Sequence, residues 1–318
     1  MNKASATLLI AAIVGALAGC TQNQNGGAPS GQGSGQPVGA ATKTIGVSIQ
    51  DLQAQFYAAM QQGMKDEAAK YGYKITFTDA NRDQARQTSQ VEDFLSQRVD
   101  AIILTPVDSK AVGPAIVEAN NANVPVFTAD IASTSSKGVV VSHVASDNVQ
   151  GGRVAADLLC KALASQGTVA IIDQPEVTSV QDRVKGFRQE LAAKCPSVKI
   201  VADQTAGGDR GVAATVMDNL LQTYPNLSGV FGINDDSALG ALKSIKSAGK
   251  LGTIKIVGYD ATPEARKAID AGQMVGDPEQ HPDQIGKLTI DQIHLYFSGK
   301  KSPKYIPVPV GSYTGKKS

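Results

Sequence analysis

Four apolar runs in this chain end on acid or amide side chains. Ile49 is followed by Gln50 and Asp51, Ala129 by Asp130, Ile233 by Asn234 and Asp235, and Tyr259 by Asp260. Carboxylates accept hydrogen bonds, and amides both accept and donate. A convergent set of such groups can hold a polar solute in one orientation. Phe56 and Tyr57 stand shortly after the first run, Arg183 opens a helical stretch leading to Gly186-Phe187, and Gln280 lies at an expected crossing between lobes. Aromatic rings add a surface for apolar C–H faces. This is chemistry for holding rather than turnover. No Ser or Cys sits in a glycine elbow, and no His is arranged with a carboxylate to activate a nucleophile.

The elements that must place these residues follow one rule. Residues 229–233 read as a strand buried on both faces, and Ala238, Leu239, Ala241, Leu242 and Ile245 then recur at helical spacing. In open parallel sheets ligands sit beyond the carboxyl ends of strands, which is where Asn234 and Asp235 are delivered. The alternation fills the chain. Strands are predicted over 44–49, 74–78, 101–105, 124–128 and 139–143, with helices over 56–71, 84–97 and 110–123. A second series opens with helix 148–164. It continues with strands 168–172, 198–202, 229–233 and 254–259 and helices 177–194, 211–224, 237–248, 263–271 and 283–298. An extended stretch at 274–276 and a proline-broken one at 305–313 complete it. The fold class is α/β, with two doubly wound parallel lobes whose polar strand ends face one cleft. Crossings are expected near 144–145, 278–280 and 307–309. That gives a first lobe of 43–144 plus 280–308 and a second of 145–279 plus 309–318.

The chain has 318 residues, 42% hydrophobic and 19% charged, enough for two globular α/β domains. A net charge of +1 excludes the strong field of a nucleic-acid binder. At the N-terminus, Lys3 precedes an apolar stretch, 8–17, too short to span a bilayer, and the sequence runs on to Leu17-Ala18-Gly19-Cys20. That ending resembles the lipobox of bacterial lipoproteins. Residues 1–20 are therefore expected to be a signal peptide and Cys20 to carry the lipid that anchors the protein to a membrane. An ordinary signal peptide cut elsewhere is the competing reading. Residues 21–42, rich in Gly, Ser and Gln, read as a flexible tether. Gly31, Gly33 and Gly35 within it have neither the preceding strand nor the following helix of a dinucleotide fingerprint.

Four segments carry a family likeness: 105–113, 141–152, 234–242 and 282–286 (Thr105-Pro106-Val107-Asp108, Ser146-Asp147-Asn148, Asn234-Asp235-Asp236 and Pro282-Asp283-Gln284 among them). From about residue 44 onward the sequence resembles the ribose-type periplasmic sugar-binding proteins of ABC importers, the type I periplasmic binding proteins. The resemblance implies two Rossmann-like lobes joined by three crossings, closing by hinge motion on a monosaccharide or polyol and handing it to a membrane permease. It implies an exported, non-enzymatic monomer of the cell envelope with no cofactor and no metal.

The same resemblance assigns ligand contacts to Phe56, Tyr57, Asp130, Arg183, Asn234, Asp260 and Gln280, with Gln50 where the family has a serine. Other readings stand beside these. Phe56 and Tyr57 could be core residues of an amphipathic helix, Asn234 and Asp260 could cap the helices that follow, and Arg183 could be a solvated helix charge. The chain departs from the family at Ile131 in place of an arginine, Ala54 in place of an asparagine and Gly208 in place of an aromatic. Losing a guanidinium and one ring wall points away from ribose, toward a larger or differently oriented polyol or hexose.

Residues 79–90 begin like a calcium loop but place Gln84 where glycine is needed and Gln90 where a bidentate glutamate is needed. His143, His281 and His294 lack metal spacing. Cys160 and Cys195 fall near the ends of successive long helices. In an oxidising compartment they are expected to form a disulfide, with two buried thiols as the alternative. A transcription regulator on the same core would need an N-terminal DNA-binding motif, and a Rossmann enzyme would need glycines where Gln50-Asp51-Leu52 follow the first strand. A receptor of the same fold that signals rather than transports is not distinguished by sequence.

Overall fold

In the computed structural model, residues 42–315 are described; the signal stretch, Cys20 and the tether up to residue 41 lie outside the described residues. The elements of the first half are β1 (Thr44–Ile49), α1 (Gln55–Lys70), β2 (Lys74–Asp79), α2 (Gln84–Ser96), β3 (Ala101–Leu104), α3 (Gly113–Asn121), β4 (Val126–Ala129) and β5 (Val140–Ser146). There follow α4 (Asn148–Ala162), β6 (Gly167–Asp173), α5 (Thr178–Lys194), β7 (Val198–Thr205), α6 (Arg210–Thr223), β8 (Gly229–Gly232), α7 (Asp235–Ser247) and β9 (Lys255–Val257). The chain ends with α8 (Pro263–Asp270), β10 (Asp277–Glu279), α9 (Pro282–Phe297), β11 (Tyr305–Val308) and β12 (Gly311–Tyr313).

Two parallel sheets result. The first has the order β11-β5-β4-β3-β1-β2 and the second β7-β6-β8-β9, with β10 and β12 forming a separate antiparallel pair. Central strands such as β3 and β8 are buried at every residue because helices cover both faces, so their sequences are continuous apolar runs. In the first lobe, Met60, Met64, Ile285 and Ile293 of α1 and α9 pack on one face of the sheet, and Phe94 and Ile116 of α2 and α3 on the other. In the second, Met217, Leu242 and Ile245 of α6 and α7 cover one face. Leu159, Phe187 and Leu191 of α4 and α5 cover the other, with Phe187 stacked 4.5 Å from Phe231. Each such side chain contributes about 1.5–3 kcal/mol by leaving water.

The chain passes between the sheets three times: between β5 and α4, between β10 and α9, and between β11 and β12. Several boundaries differ from the sequence expectation, and at two of them the physical reason is plain. Helix α3 starts at Gly113 rather than at residue 110, because Asp108 Oδ1 accepts from the N–H groups of Lys110 and Ala111 and holds them in a turn. The extended segment expected at 274–276 lies three residues later, at 277–279, where β12 supplies a pairing partner.

Helices α4 and α5 approach so closely that a Cβ on Gly152 would strike the Arg183 carbonyl oxygen and one on Gly186 the Val149 carbonyl oxygen. This seam fixes the backbone under Arg183. At its far end Cys160 and Cys195 form a disulfide, with Cα atoms 6.2 Å apart.

Candidate ligand-binding site

The carboxyl ends of β1 and β4 in one lobe, and of β6, β8 and β9 in the other, converge on a cavity of about 40 Å³, and the lobes stand closed over it, with Arg82 reaching the Gly207 carbonyl and Gln55 the Glu264 carboxylate across the cleft. Gln50, Phe56, Tyr57, Asp130, Arg183, Asn234 and Asp260 all line it. Gln280 does not. It stands behind Asp260, donating from Nε2 to Asp260 Oδ1 at 2.6 Å.

Both key aspartates are held in backbone conformations that ordinary residues avoid. Asp130 has φ 65° and Asp260 φ 115°. Such geometry costs roughly 1–3 kcal/mol and persists only where the surroundings impose it. Here the Asp130 N–H donates to the Val144 carbonyl at 2.8 Å and the Asp260 N–H to that of Pro278 at 3.0 Å. Each bond ties a strand end to a neighbouring strand and turns the carboxylate into the cavity.

From the first lobe, Tyr57 donates to Gln50 Oε1 at 2.9 Å and lies 3.2 Å from Asp130 Oδ2. Phe56 meets Tyr57 edge-to-face at 5.1 Å. From the second lobe, Arg183 donates from Nε to Asn148 Oδ1 at 2.9 Å and from Nη1 to the Ile233 carbonyl at 2.8 Å. Its guanidinium lies 3.9 Å from the centroid of the Tyr259 ring, and Nη1 is 3.8 Å from Asp260 Oδ1. The arginine is thus buried, stacked and oriented at once, a combination lysine cannot reproduce.

Burial raises the Asp130 and Asp260 carboxyls above the usual range, Asp260 strongly, and the positive charge of Arg183 opposes that rise at both. Burial likewise holds the Tyr57 hydroxyl protonated far above its ordinary value. Gln50 Nε2, Asp130 Oδ1 and Gln280 Oε1 are buried and make no hydrogen bond within the protein. Buried polar atoms without partners cost about 1–3 kcal/mol each, so a solute that satisfies the two lining the cavity is favoured.

The competing readings of these residues are separated by the coordinates. Asp260 does not cap a helix; Thr262 does, its Oγ1 accepting from the Ala265 N–H. Asn234 does cap α7, its Oδ1 accepting from the Ser237 N–H at 2.8 Å, while Nδ2 reaches the Gly208 carbonyl at 3.2 Å. Phe56 belongs to the first-lobe core and lines the cavity as well. Arg183 is 4% exposed and is no solvated helix charge.

Three contributors were not singled out from sequence. Asn148 and Tyr259 lie under Arg183, and nothing in their local pattern marks them. Arg82 follows β2 and lines the cavity, so the strand-end rule that picks out Asp130 could have found it. Its guanidinium approaches Gly208, where a Cβ would lie 3.1 Å from Nη1. Among the described residues, no group of three His, Cys, Asp or Glu side chains could hold a metal ion.

Two opposed lobes, each ending in buried carboxylate and amide groups around a stacked arginine, define a solute-binding protein. A periplasmic binding protein domain matches residues 45–301, and the chain belongs to that family, in its ribose-type branch with the type I fold. The ribose import binding protein of Bacillus subtilis is 37% identical over 274 residues, covering 86% of this chain and 88% of that protein. The Caulobacter myo-inositol binding protein, in a crystal structure bound to myo-inositol, is 33% identical with a TM-score of 0.80, covering 85% of this chain and 93% of that one. An ABC transporter periplasmic solute binding protein from Actinobacillus succinogenes with bound D-allose is 28% identical with a TM-score of 0.79, covering 85% and 97%.

Proposed function

We propose that this protein captures a monosaccharide or polyol between its two lobes and delivers it to the membrane permease of an ABC importer, without catalysing a reaction. The observation that carries this reading is the pairing of Asp130 and Asp260, one on each lobe, around the buried Arg183. A solute with several hydroxyls can donate to both carboxylates and accept from the guanidinium. It then binds the closed arrangement better than the open one and shifts the population toward closure. The relatives with bound myo-inositol and D-allose support a neutral cyclic polyol. The ligand contacts are Phe56, Tyr57, Asp130, Arg183, Asn234 and Asp260 with Gln50, and Gln280 acts through Asp260. Export and a lipid on Cys20 would place the protein at the outer face of a membrane, with residues 21–42 as the tether. The proposed lobes are 43–144 plus 280–308 and 145–279 plus 309–318, with 316–318 outside the described residues.

Thermal unfolding against a panel of myo-inositol, D-allose, D-ribose, xylitol and amino acids tests this. A solute at about 100 times its dissociation constant adds roughly 2.7 kcal/mol, a rise of a few degrees for a protein of this size. One sugar or polyol should produce that rise and lose it in Asp130→Ala and Asp260→Ala. A rise with an amino acid alone would overturn the solute class.

A further inference from the structure

Arg82 joins the two lobes inside the site. It donates from Nε and Nη2 to Asp51 Oδ2 at 3.0 and 2.7 Å on its own lobe, and from Nη1 to the Gly207 carbonyl on the other. Its placement is not casual. Asn81 and Arg82 both have left-handed backbones, φ 50° and 60°. The turn is held by the Asn81 N–H donating to Asp79 Oδ1 at 2.8 Å and the Arg82 N–H donating to the Gln50 carbonyl at 2.9 Å. Two consecutive strained residues fixed to the backbone of a cavity residue aim one side chain across the cleft.

The lobe it reaches offers no ring. Both aromatic side chains lining the cavity, Phe56 and Tyr57, come from α1. At Gly208 a Cβ would meet Gln174 Oε1 at 2.7 Å, Arg82 Nη1 at 3.1 Å and Asn234 Nδ2 at 3.1 Å, and φ there is +69°. Three polar tips therefore converge where a side chain on residue 208 would project, and the backbone disfavours one. A guanidinium carries five N–H groups, and the three bonds above leave two of them for a ligand.

We propose that Arg82 is a ligand-binding and specificity-determining residue that selects a cyclic polyol bearing an axial hydroxyl. The aromatic lobe takes the C–H face of the ring, and the second lobe, with Arg82 leaning on it, takes the hydroxyl that stands out from the opposite face. A ring with every hydroxyl equatorial presents C–H bonds on both sides and leaves the two Arg82 N–H groups facing them. The inference rests on the reading of the site as a sugar or polyol site and refines it to one face of the ring.

Two epimer pairs test it by isothermal titration of the purified protein: myo-inositol against scyllo-inositol, and D-allose against D-glucose. The first member of each pair holds axial a ring hydroxyl, at C2 in the inositols and C3 in the aldoses, that the second holds equatorial, and the anomeric hydroxyl is common to both aldoses. In at least one pair the axial member should bind about 10-fold or more tightly than the equatorial one, as expected for a hydrogen bond to a charged group. Arg82→Ala should weaken both members, because the bond that bridges the lobes to Gly207 is lost, and should bring their affinities to within about 3-fold of each other. Arg82→Lys, which keeps the charge but loses the planar fork, should restore the preference only in part. Equal binding within both pairs, or a preference unchanged in Arg82→Ala, would overturn the role of Arg82 while leaving the sugar reading intact. Binding of none of the four while D-ribose or xylitol binds would overturn this inference and leave the sugar reading intact, and binding of no sugar or polyol at all would overturn both.

Discussion

Gln280 and Asp260 are joined by a hydrogen bond of 2.6 Å between the amide Nε2 and the carboxylate Oδ1, and the bond spans a crossing between the lobes. Gln280 stands between β10 and α9, where the chain returns to the first lobe, while Asp260 faces the cavity at the end of the second sheet. The segment that must flex on opening therefore also orients a carboxylate. A hydrogen bond to a charged group contributes about 1.5–3 kcal/mol, so Gln280→Ala should weaken solute binding by roughly 10-fold or more without contacting the solute. Gln280→Glu should be worse, since it sets a second acid against a carboxyl already raised by burial. Titration calorimetry on both variants checks this, and unchanged affinity in Gln280→Ala would show that Asp260 needs no support.

Arg183, buried at the site's centre, also holds the fold around it together. Removing it leaves the buried Asp130 and Asp260 without their cation, takes the donor from the Ile233 carbonyl, and leaves Asn148 Oδ1 with the Tyr259 hydroxyl alone. Breaking a buried charge pair from one side typically costs about 3–5 kcal/mol. Denaturant unfolding of Arg183→Ala should show a loss of that size even without solute. Loss of binding with full stability would mean that the arginine serves the ligand alone.

The strand-and-helix alternation was legible because a parallel sheet covered on both faces writes continuous apolar runs, and turns between them are short. The ends of those runs gave Asp130, Asn234 and Asp260 for the same reason. What sequence could not carry was direction. Nothing local distinguishes Asp260, turned into the cavity by a left-handed backbone, from a helix cap, because that conformation is imposed by pairing with Pro278, 18 residues on. Asn148 and Tyr259 come to Arg183 from opposite ends of the second lobe, a meeting visible only once α4 lies against the sheet.

Asp235 and Asp277 form a buried acid pair next to Asn234. Burial raises both carboxyls, Asp235 well above the ordinary value and Asp277 to about 7, and the nearby charge of Asp277 adds to the rise at Asp235. The groups facing them are Asp260 on the β9 side, Arg266 on α8, and the N–H groups of Thr262 and Gly258, which donate at 2.7 and 2.8 Å. A folded-state pKa above the unfolded value means that the native state holds the proton more tightly. The pair's stability is then fully present at low pH and lost as pH rises from about 4 toward about 7. The melting temperature should fall over that window. Asp277→Asn, which keeps an acceptor for Gly258 and can donate to Asp235, should flatten the fall. An identical pH profile in the variant would show that the pair does not titrate there.

The Cys160–Cys195 bridge closes a loop with a sequence separation of 35 and ties together the far ends of α4 and α5, whose seam holds Arg183 in place. Restricting the unfolded chain over such a loop stabilises the native state by about 4 kcal/mol. Reduction, or the double substitution Cys160→Ser with Cys195→Ser, should lower the unfolding free energy by roughly that amount. Solute affinity should fall much less, because the bridge lies at the end of the helices away from the cavity. Thiol titration gives an independent check. The chain has three cysteines, so the unprocessed protein, denatured without reductant, should show one reactive thiol, that of Cys20. Three reactive thiols would exclude the bridge. The stability attributed to it would then have to come from α4–α5 packing alone.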